Sequence, residues 1–376
     1  MENSNLITNS VAAPVDYLQV WNPTTSEYRD WYLSDYSYLG SGGFAQVYLA
    51  SSQRAAKTGF LVKVFKQRKW RKDFQREVDN LLELQDIQEI PRLVDHGYDQ
   101  SGRLCIVTEY IEGLNLVKYV KKHGTLNEEQ AAALMQSILR VLEKVHAKGI
   151  IHSDIQPENI IYDGVKATLI DWGIALSVPA DPHKENIKVH NGYAAPEFYT
   201  GDFSTASDFY GLAWSVVFAL SGKRPFEWNS SKGDDYGVLT HCLARPQIPA
   251  EVSRKFSPMI LSWIHKRPEL RTQSYDLSVL AKTAHGSVEA FKDCPSVEAL
   301  VNNENYLQDA AENGIRYSQH KLGSELFDKK KYDESLVWLR RSYEGGLKKS
   351  ADLLVSCLES LKTEPCKAEI ETLLRD

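Results

Sequence analysis

The chain has 376 residues, longer than one average domain, and its 43% hydrophobic and 25% charged content suits a protein that buries a sizeable core. Its 44 basic and 50 acidic side chains leave a net charge of −6, which argues against a general nucleic-acid binder. The five cysteines form no C-x-x-C pair, so reduced thiols in a cytoplasmic protein are expected, not disulfides or structural zinc.

Residues 1–30 are polar with few periodic apolar positions and read as an N-terminal arm. No basic region precedes an apolar run there, so no secretory signal is expected. From about Trp31 to Tyr110 the pattern favours strands. Tyr36 to Leu39 leads into Gly40-Ser41-Gly42-Gly43, Gln46 to Ala50 leaves it, and Phe60 to Phe65 is rich in β-formers. One helix interrupts, with Phe74, Val78, Leu81, Leu82 and Leu84 at helical spacing. Arg103 to Glu109 is a further strand, and beyond Gly113 helices dominate. Asn127 to Ala147 carries an apolar stripe of Ala131, Leu134, Met135, Ile138, Val141, Leu142 and Val145. Phe209 to Leu220 is apolar but short of the roughly 20 residues that span a bilayer, so it reads as a buried helix. Strands first and helices after predict an α+β body of two lobes with a cleft, over residues 31–280.

A linker over 281–301 and an all-α tail over 302–376 follow. In the tail, Glu312-Asn313-Gly314 with Ser318 and Leu322 recurs 32 residues on as Glu344-Gly345-Gly346 with Ser350 and Leu354. Such a period suggests paired antiparallel helices. Together with Leu322-Gly323, the Lys331-Tyr332-Asp333-Glu334 turn and Trp338-Leu339, it resembles the tetratricopeptide superfamily and its Sel-like branch. An ordinary helical bundle is the other reading. A protein partner bound through this tail is expected, because so few units leave an apolar face to cover.

Four clusters carry the chemistry. Gly40-x-Gly42-Gly43 with Val47 forms a loop whose backbone N–H groups can approach phosphates, although a plain turn would have the same glycines. Lys63 lies 16 residues after Val47, centred in a β run, where a solvated strand lysine is the alternative. His152-Ser153-Asp154 with Asn159, then Asp171-Trp172-Gly173, place carboxylates at loop positions where single acids would pass for caps or turn residues. Ala195-Pro196-Glu197 closes the order. All of them in this order supply what phosphoryl transfer from ATP requires: a phosphate-covering loop, a cation, a carboxylate for the hydroxyl and oxygen ligands for Mg²⁺.

Residues 31–280 thus resemble the eukaryotic-type Ser/Thr protein kinases. The resemblance implies ATP and Mg²⁺ as cofactors and protein substrates. It implies that Gly40, Gly42, Gly43 and Val47 cover the nucleotide, and that Glu77 pairs with Lys63 over the α- and β-phosphates, Glu83 being its competitor on the same helix. By the same resemblance Glu109 and Ile111 face adenine with backbone groups, Asp154 handles the proton of the attacking hydroxyl, and Asn159 and Asp171 hold the metal. Asp208 anchors the catalytic loop and Arg271 pairs with Glu197.

The departures are Ala45 for the third glycine, Leu61 above the adenine position, Trp172 for phenylalanine, Ser153 for arginine, Gln156 for the catalytic-loop lysine and His190 for threonine. Gln156 can donate a hydrogen bond to phosphate but adds no charge. Serine at 153 suggests no activation-loop phosphate switch. An active protein kinase is the first reading. A nucleotide-binding pseudokinase scaffold is the second, favoured by Gln156, His190 and Leu61. A small-molecule phosphotransferase is the third, and Glu197, Asp208 and Arg271 count against it.

Overall fold

Alternating burial along six strands builds the first part of the chain. The computed structural model describes residues 17–41, 45–53, 59–178, 192–200, 203–226, 235–303, 305–345, 347, 350–361, 369–370 and 373. These fall in two compact units, 1–112 and 113–376. In the first unit β1 (Tyr17–Asn22), β2 (Glu27–Ser41), β3 (Ala45–Ser51), β4 (Phe60–Phe65), β5 (Leu93–Asp99) and β6 (Leu104–Glu109) pair antiparallel in the order β1-β2-β3-β4-β6-β5. Strand β1 also pairs with β5, which closes a barrel. Every second side chain points inward, so Leu18, Val20, Trp31, Ala50, Val62, Val64, Cys105 and Val107 form the core. Closure depends on Gly97: a Cβ there would lie 1.8 Å from the carbonyl oxygen of Trp21, so only glycine lets β5 approach β1. Buried Asp95 accepts from Trp31 Nε1 at 3.2 Å and Asn22 Nδ2 at 2.8 Å, which satisfies the indole inside the barrel.

The strands begin earlier than the sequence pattern suggests. Residues 17–30, assigned above to an arm, form β1, a turn and the start of β2. Leu18 and Val20 alternate with polar or edge positions over six residues only, too short a signal against a polar background. Residues 1–16 lie outside the described residues. Helix α1 (Arg71–Glu83) buries Phe74, Glu77, Val78 and Leu81, while Leu82 of the expected stripe is exposed.

The second unit opens with β7 (Leu114–Asn115), α2 (Leu116–His123) and α3 (Glu128–Ala147). Asn127 and Gln130 cap α3 reciprocally, satisfying two otherwise orphaned backbone donors. The α3 stripe is fully buried, as its spacing predicts. Then come β8 (Ile150–Ile151), β9 (Ile160–Tyr162), β10 (Ala167–Leu169), β11 (Leu176–Ser177), α4 (Glu197–Thr200) and α5 (Ala206–Ser221). Strand β9 pairs with β10 and β7, and β8 with β11. Every α5 residue from Ala206 to Leu220 is buried, which is why its sequence is apolar all round.

Beyond α5 lie α6 (Asp235–Gly237), α7 (Ser257–Trp263), α8 (Leu277–Thr283) and α9 (Val297–Val301). The stretch expected as a linker is therefore largely folded, with Phe291 and Leu300 buried. Helices α10 (Tyr306–Glu312), α11 (Arg316–Asp328), α12 (Tyr332–Glu344) and α13 (Ser350–Leu361) follow, each packed on the next. Leu339, Leu354, Cys357 and Leu358 form their core. Among the described residues no helix is long and apolar enough to cross a membrane.

Candidate active site

The first unit holds a fixed cation. Val62 and Val64 face the barrel core, so Lys63 between them leaves by the other face of β4. Strand register sets Gly40 opposite Val47 and Val47 opposite Lys63, which puts all three in one row across β2, β3 and β4. Gly42 and Gly43 lie outside the described residues. The Lys63 ammonium donates to both Glu77 carboxylate oxygens, at 2.9 and 2.8 Å. Glu77 is buried on the inner stripe of α1, whereas Glu83 is exposed, so helical phase selects the partner. Leu61 lies opposite Leu49 and Thr108 in the neighbouring row. After β6 the chain is held by its backbone: Glu109 N–H donates to the Arg92 carbonyl and Tyr110 N–H to that of Gly59, each at 3.0 Å. The Glu109 side chain is exposed and Ile111 half-buried.

The second unit holds a braced loop. Asp208, on α5, accepts the backbone N–H groups of His152 and Ser153 at 2.8 and 2.9 Å, and meets His146 Nε2 at 2.8 Å. Burial alone would raise its pKa, but the His146 hydrogen bond and charge, with the His152 N–H, hold it below the usual carboxylate value of 3.8. Ser153 is thereby kept at a left-handed φ of +69°. Gly211 lets α5 come this close, since a Cβ there would sit 2.6 Å from the Ile155 carbonyl oxygen. His152 is fully buried, engages the Ile170 carbonyl through Nε2 at 3.1 Å, and takes the Asp154 N–H on Nδ1 at 3.2 Å. That pattern needs a neutral ring, and burial indeed lowers its pKa.

The depressed Asp208 pKa makes a stability prediction. A carboxyl whose folded pKa lies below its unfolded value stabilises the fold fully above the unfolded value, and that contribution fades as pH falls through the folded one. The melting-temperature gap between the wild type and Asp208→Asn is therefore expected to be wide near neutral pH and to shrink below about pH 4. A gap that stays constant down to acid unfolding would refute this account of Asp208.

Asp154 is held at both oxygens. Gln156 Nε2 donates to Oδ1 at 2.7 Å, and Asn159 Nδ2 donates to Oδ2 at 2.7 Å and to the Asp154 main-chain oxygen at 3.0 Å. Burial first, and then the Asp171 charge, push the Asp154 pKa up to about 7 against those two donors. With its nitrogen on Asp154, Asn159 has its carbonyl oxygen left as a cation donor. Asp171 follows β10, is exposed, and takes a φ of +66°. Trp172 is buried against His152, ring centroids 4.5 Å apart, and so fills an apolar site. Gln156 differs from its expected phosphate-facing pose: its nitrogen engages Asp154 and its buried Oε1 has no hydrogen-bond partner among the described residues. An unsatisfied buried acceptor costs about 1–3 kcal/mol.

Glu197 and Arg271 form a buried two-pronged pair at 2.5 and 2.8 Å, and Ser207 Oγ donates to Glu197 at 2.7 Å. Sequence reasoning missed His146 and Ser207. His146 falls outside the clear apolar stripe of α3, and only its place one turn before β8 hints at a role.

Residues 33–280, more than half of the chain, match the protein kinase domain family, and the chain belongs to that family. It is 28% identical over 293 residues to serine/threonine-protein kinase PknD of Mycobacterium tuberculosis, covering 75% of this chain and 44% of that protein. It is 33% identical over 210 residues to serine/threonine-protein kinase PknA of Nostoc, covering 50% and 37%. It is 30% identical over 272 residues to serine/threonine-protein kinase PrkC of Bacillus subtilis, covering 69% and 38%. The chain thus spans less than half the length of each of these curated relatives.

Proposed function

We propose that this chain is a serine/threonine kinase that moves the γ-phosphoryl group of ATP to Ser or Thr hydroxyls of proteins with Mg²⁺. The observation that carries this reading is the Asp154 carboxylate, fixed on both oxygens in a loop anchored by Asp208. Asp154 would orient the attacking hydroxyl and take its proton. Lys63, held by Glu77, would bind the α- and β-phosphates, with Gly40, Gly42, Gly43 and Val47 covering them and the backbone of Glu109 and Ile111 meeting adenine. Protein kinases use ATP with Mg²⁺, which neutralises charge on the phosphates. The donor set fits that ion: Asn159 and Asp171 offer oxygen only, and Mg²⁺ usually takes one or two protein oxygens beside phosphate. The buried Glu197–Arg271 pair supports a protein acceptor over a small molecule. The test is γ-labelled ATP with Mg²⁺ and generic acceptor proteins, beside an Asp154→Ala control.

One observation favours a second reading. Gln156 adds no charge, and its nitrogen is on Asp154, so the phosphoryl group lacks the cation that the family's lysine supplies. A nucleotide-binding pseudokinase would be stabilised by ATP without labelling any protein.

Regulation follows from Ser153. Its hydroxyl is buried with no hydrogen-bond partner among the described residues, and it carries no charge to pair with an activation-loop phosphate. Pro179, Pro182 and His190 lie outside the described residues, while Ser177 ends β11 and is exposed. Phosphatase treatment and Ser177→Ala are each expected to leave activity within about twofold of the untreated wild type. A large drop in either assay sinks the proposal.

The tail is proposed to be a tetratricopeptide- or Sel-like pair that binds protein. The 32-residue shift carries the α10–α11 turn onto the α12–α13 turn, and the equivalent Ser318 and Ser350 are both buried.

A further inference from the structure

Arg316 begins α11, beyond the family match that ends at residue 280. It is only 3% exposed, rare for an arginine without partners. Its Nη2 donates to the Phe198 carbonyl at 3.1 Å and its Nη1 to the Gly345 carbonyl at 3.3 Å. The guanidinium lies 5.5 Å from the centroid of the Phe203 ring. One planar fork thus ties the end of α12 to α4. Helix α4 has only four residues, and Arg316 supplies its Phe198 carbonyl with a donor from outside the helix. Phe198 also follows Glu197 directly and lines the recess beside Asp154, together with Ser153, Tyr193 and Ala195.

We propose that Arg316 is a positioning residue: it holds the wall of the acceptor recess, which makes the tail a working part of the substrate site. What the recess accepts rests on the kinase reading above. The coupling itself rests on the Arg316 contacts alone. Without the fork the Phe198 carbonyl loses its charged donor, and residues 193–200 open more often. A charge-assisted hydrogen bond lost at this point corresponds to about a tenfold change.

The test uses the full-length chain. Arg316→Ala is expected to raise amide hydrogen exchange over residues 193–200 about tenfold, and to raise KM for a peptide acceptor by a similar factor with a smaller change in kcat. Arg316→Lys restores part of both, because a single ammonium reaches one carbonyl and not two. Arg340→Ala, which breaks the Arg340–Glu369 pair within the tail, leaves both at wild-type values. Unchanged exchange over 193–200 in a folded Arg316→Ala chain overturns the proposal, and so does an unchanged acceptor KM in an active one. If Arg316→Ala fails to fold, Arg316→Lys against wild type decides by the same readouts. A wild type that labels no protein removes the kinase reading, and exchange then decides the coupling by itself.

Discussion

Asp154→Ala is expected to lower phosphoryl transfer about 10²–10⁴-fold, the range over which a positioned general base acts. On the proposed function, Asp171→Ala is expected to lower it at least as far, because Asp171 would supply a charged metal donor that Asn159 cannot replace. Neither change should unfold the chain. Asp171 is exposed, and burial raises the pKa of the partly buried Asp154, so losing that carboxyl removes a charge the fold does not favour. The measurement is initial-rate labelling of an acceptor protein at saturating ATP, with melting temperatures of each variant alongside. Rates that collapse with melting temperatures near the wild type support the assignment. Asp171→Ala with full activity would falsify it. Collapse of both rate and melting temperature would move these residues from the chemistry to the scaffold.

The parts of this protein legible in its sequence are those where local pattern and final environment agree. The α3 stripe reads directly because a 3.6-residue period and one buried face are the same statement, and α5 reads as buried because it is apolar on every side. Phe60–Phe65 reads as a strand for similar reasons, and Lys63 within it gains meaning only from Glu77, 14 residues away on another element. The order of the short motifs identifies the kinase domain because each motif alone is ambiguous and their sequence is not. What stayed hidden depends on long-range contacts. Strand β1 is real because Gly97 lets β5 meet it, a contact about 80 residues distant that no local pattern encodes. His146 holds Asp208 across 62 residues, and Arg316 reaches Phe198 across 118. Gln156 shows the same limit within a loop: its identity was readable, but its engagement of Asp154 was a matter of rotamer.

The Glu197–Arg271 pair carries the second large expectation, and here the effect falls on stability. Both side chains are essentially inaccessible to water, and the geometry is a two-pronged fork, so each charge is compensated by its partner and nearby dipoles and not by solvent. Arg271 further donates to the carbonyls of Ala206 and His265, at 3.0 and 2.8 Å, and stacks 4.9 Å from the Tyr210 ring centroid. Removing one member leaves a buried, unpaired charge, which typically costs about 3–5 kcal/mol. In a unit of this size that corresponds to a melting-temperature drop of about 6–20 °C for Arg271→Ala. Arg271→Lys is expected to recover only part of it, since an ammonium cannot satisfy both Glu197 oxygens and two carbonyls together. The double variant Glu197→Leu with Arg271→Met separates charge from volume: without an orphaned ion, it should melt closer to the wild type than either single alanine variant. Calorimetry of the full-length chain measures all four. A drop of less than about 2 °C in Arg271→Ala would mean that the pair contributes little to stability. A double variant less stable than both single ones would mean that the fork itself, and not the avoidance of a lone charge, holds α4 to the rest of its unit.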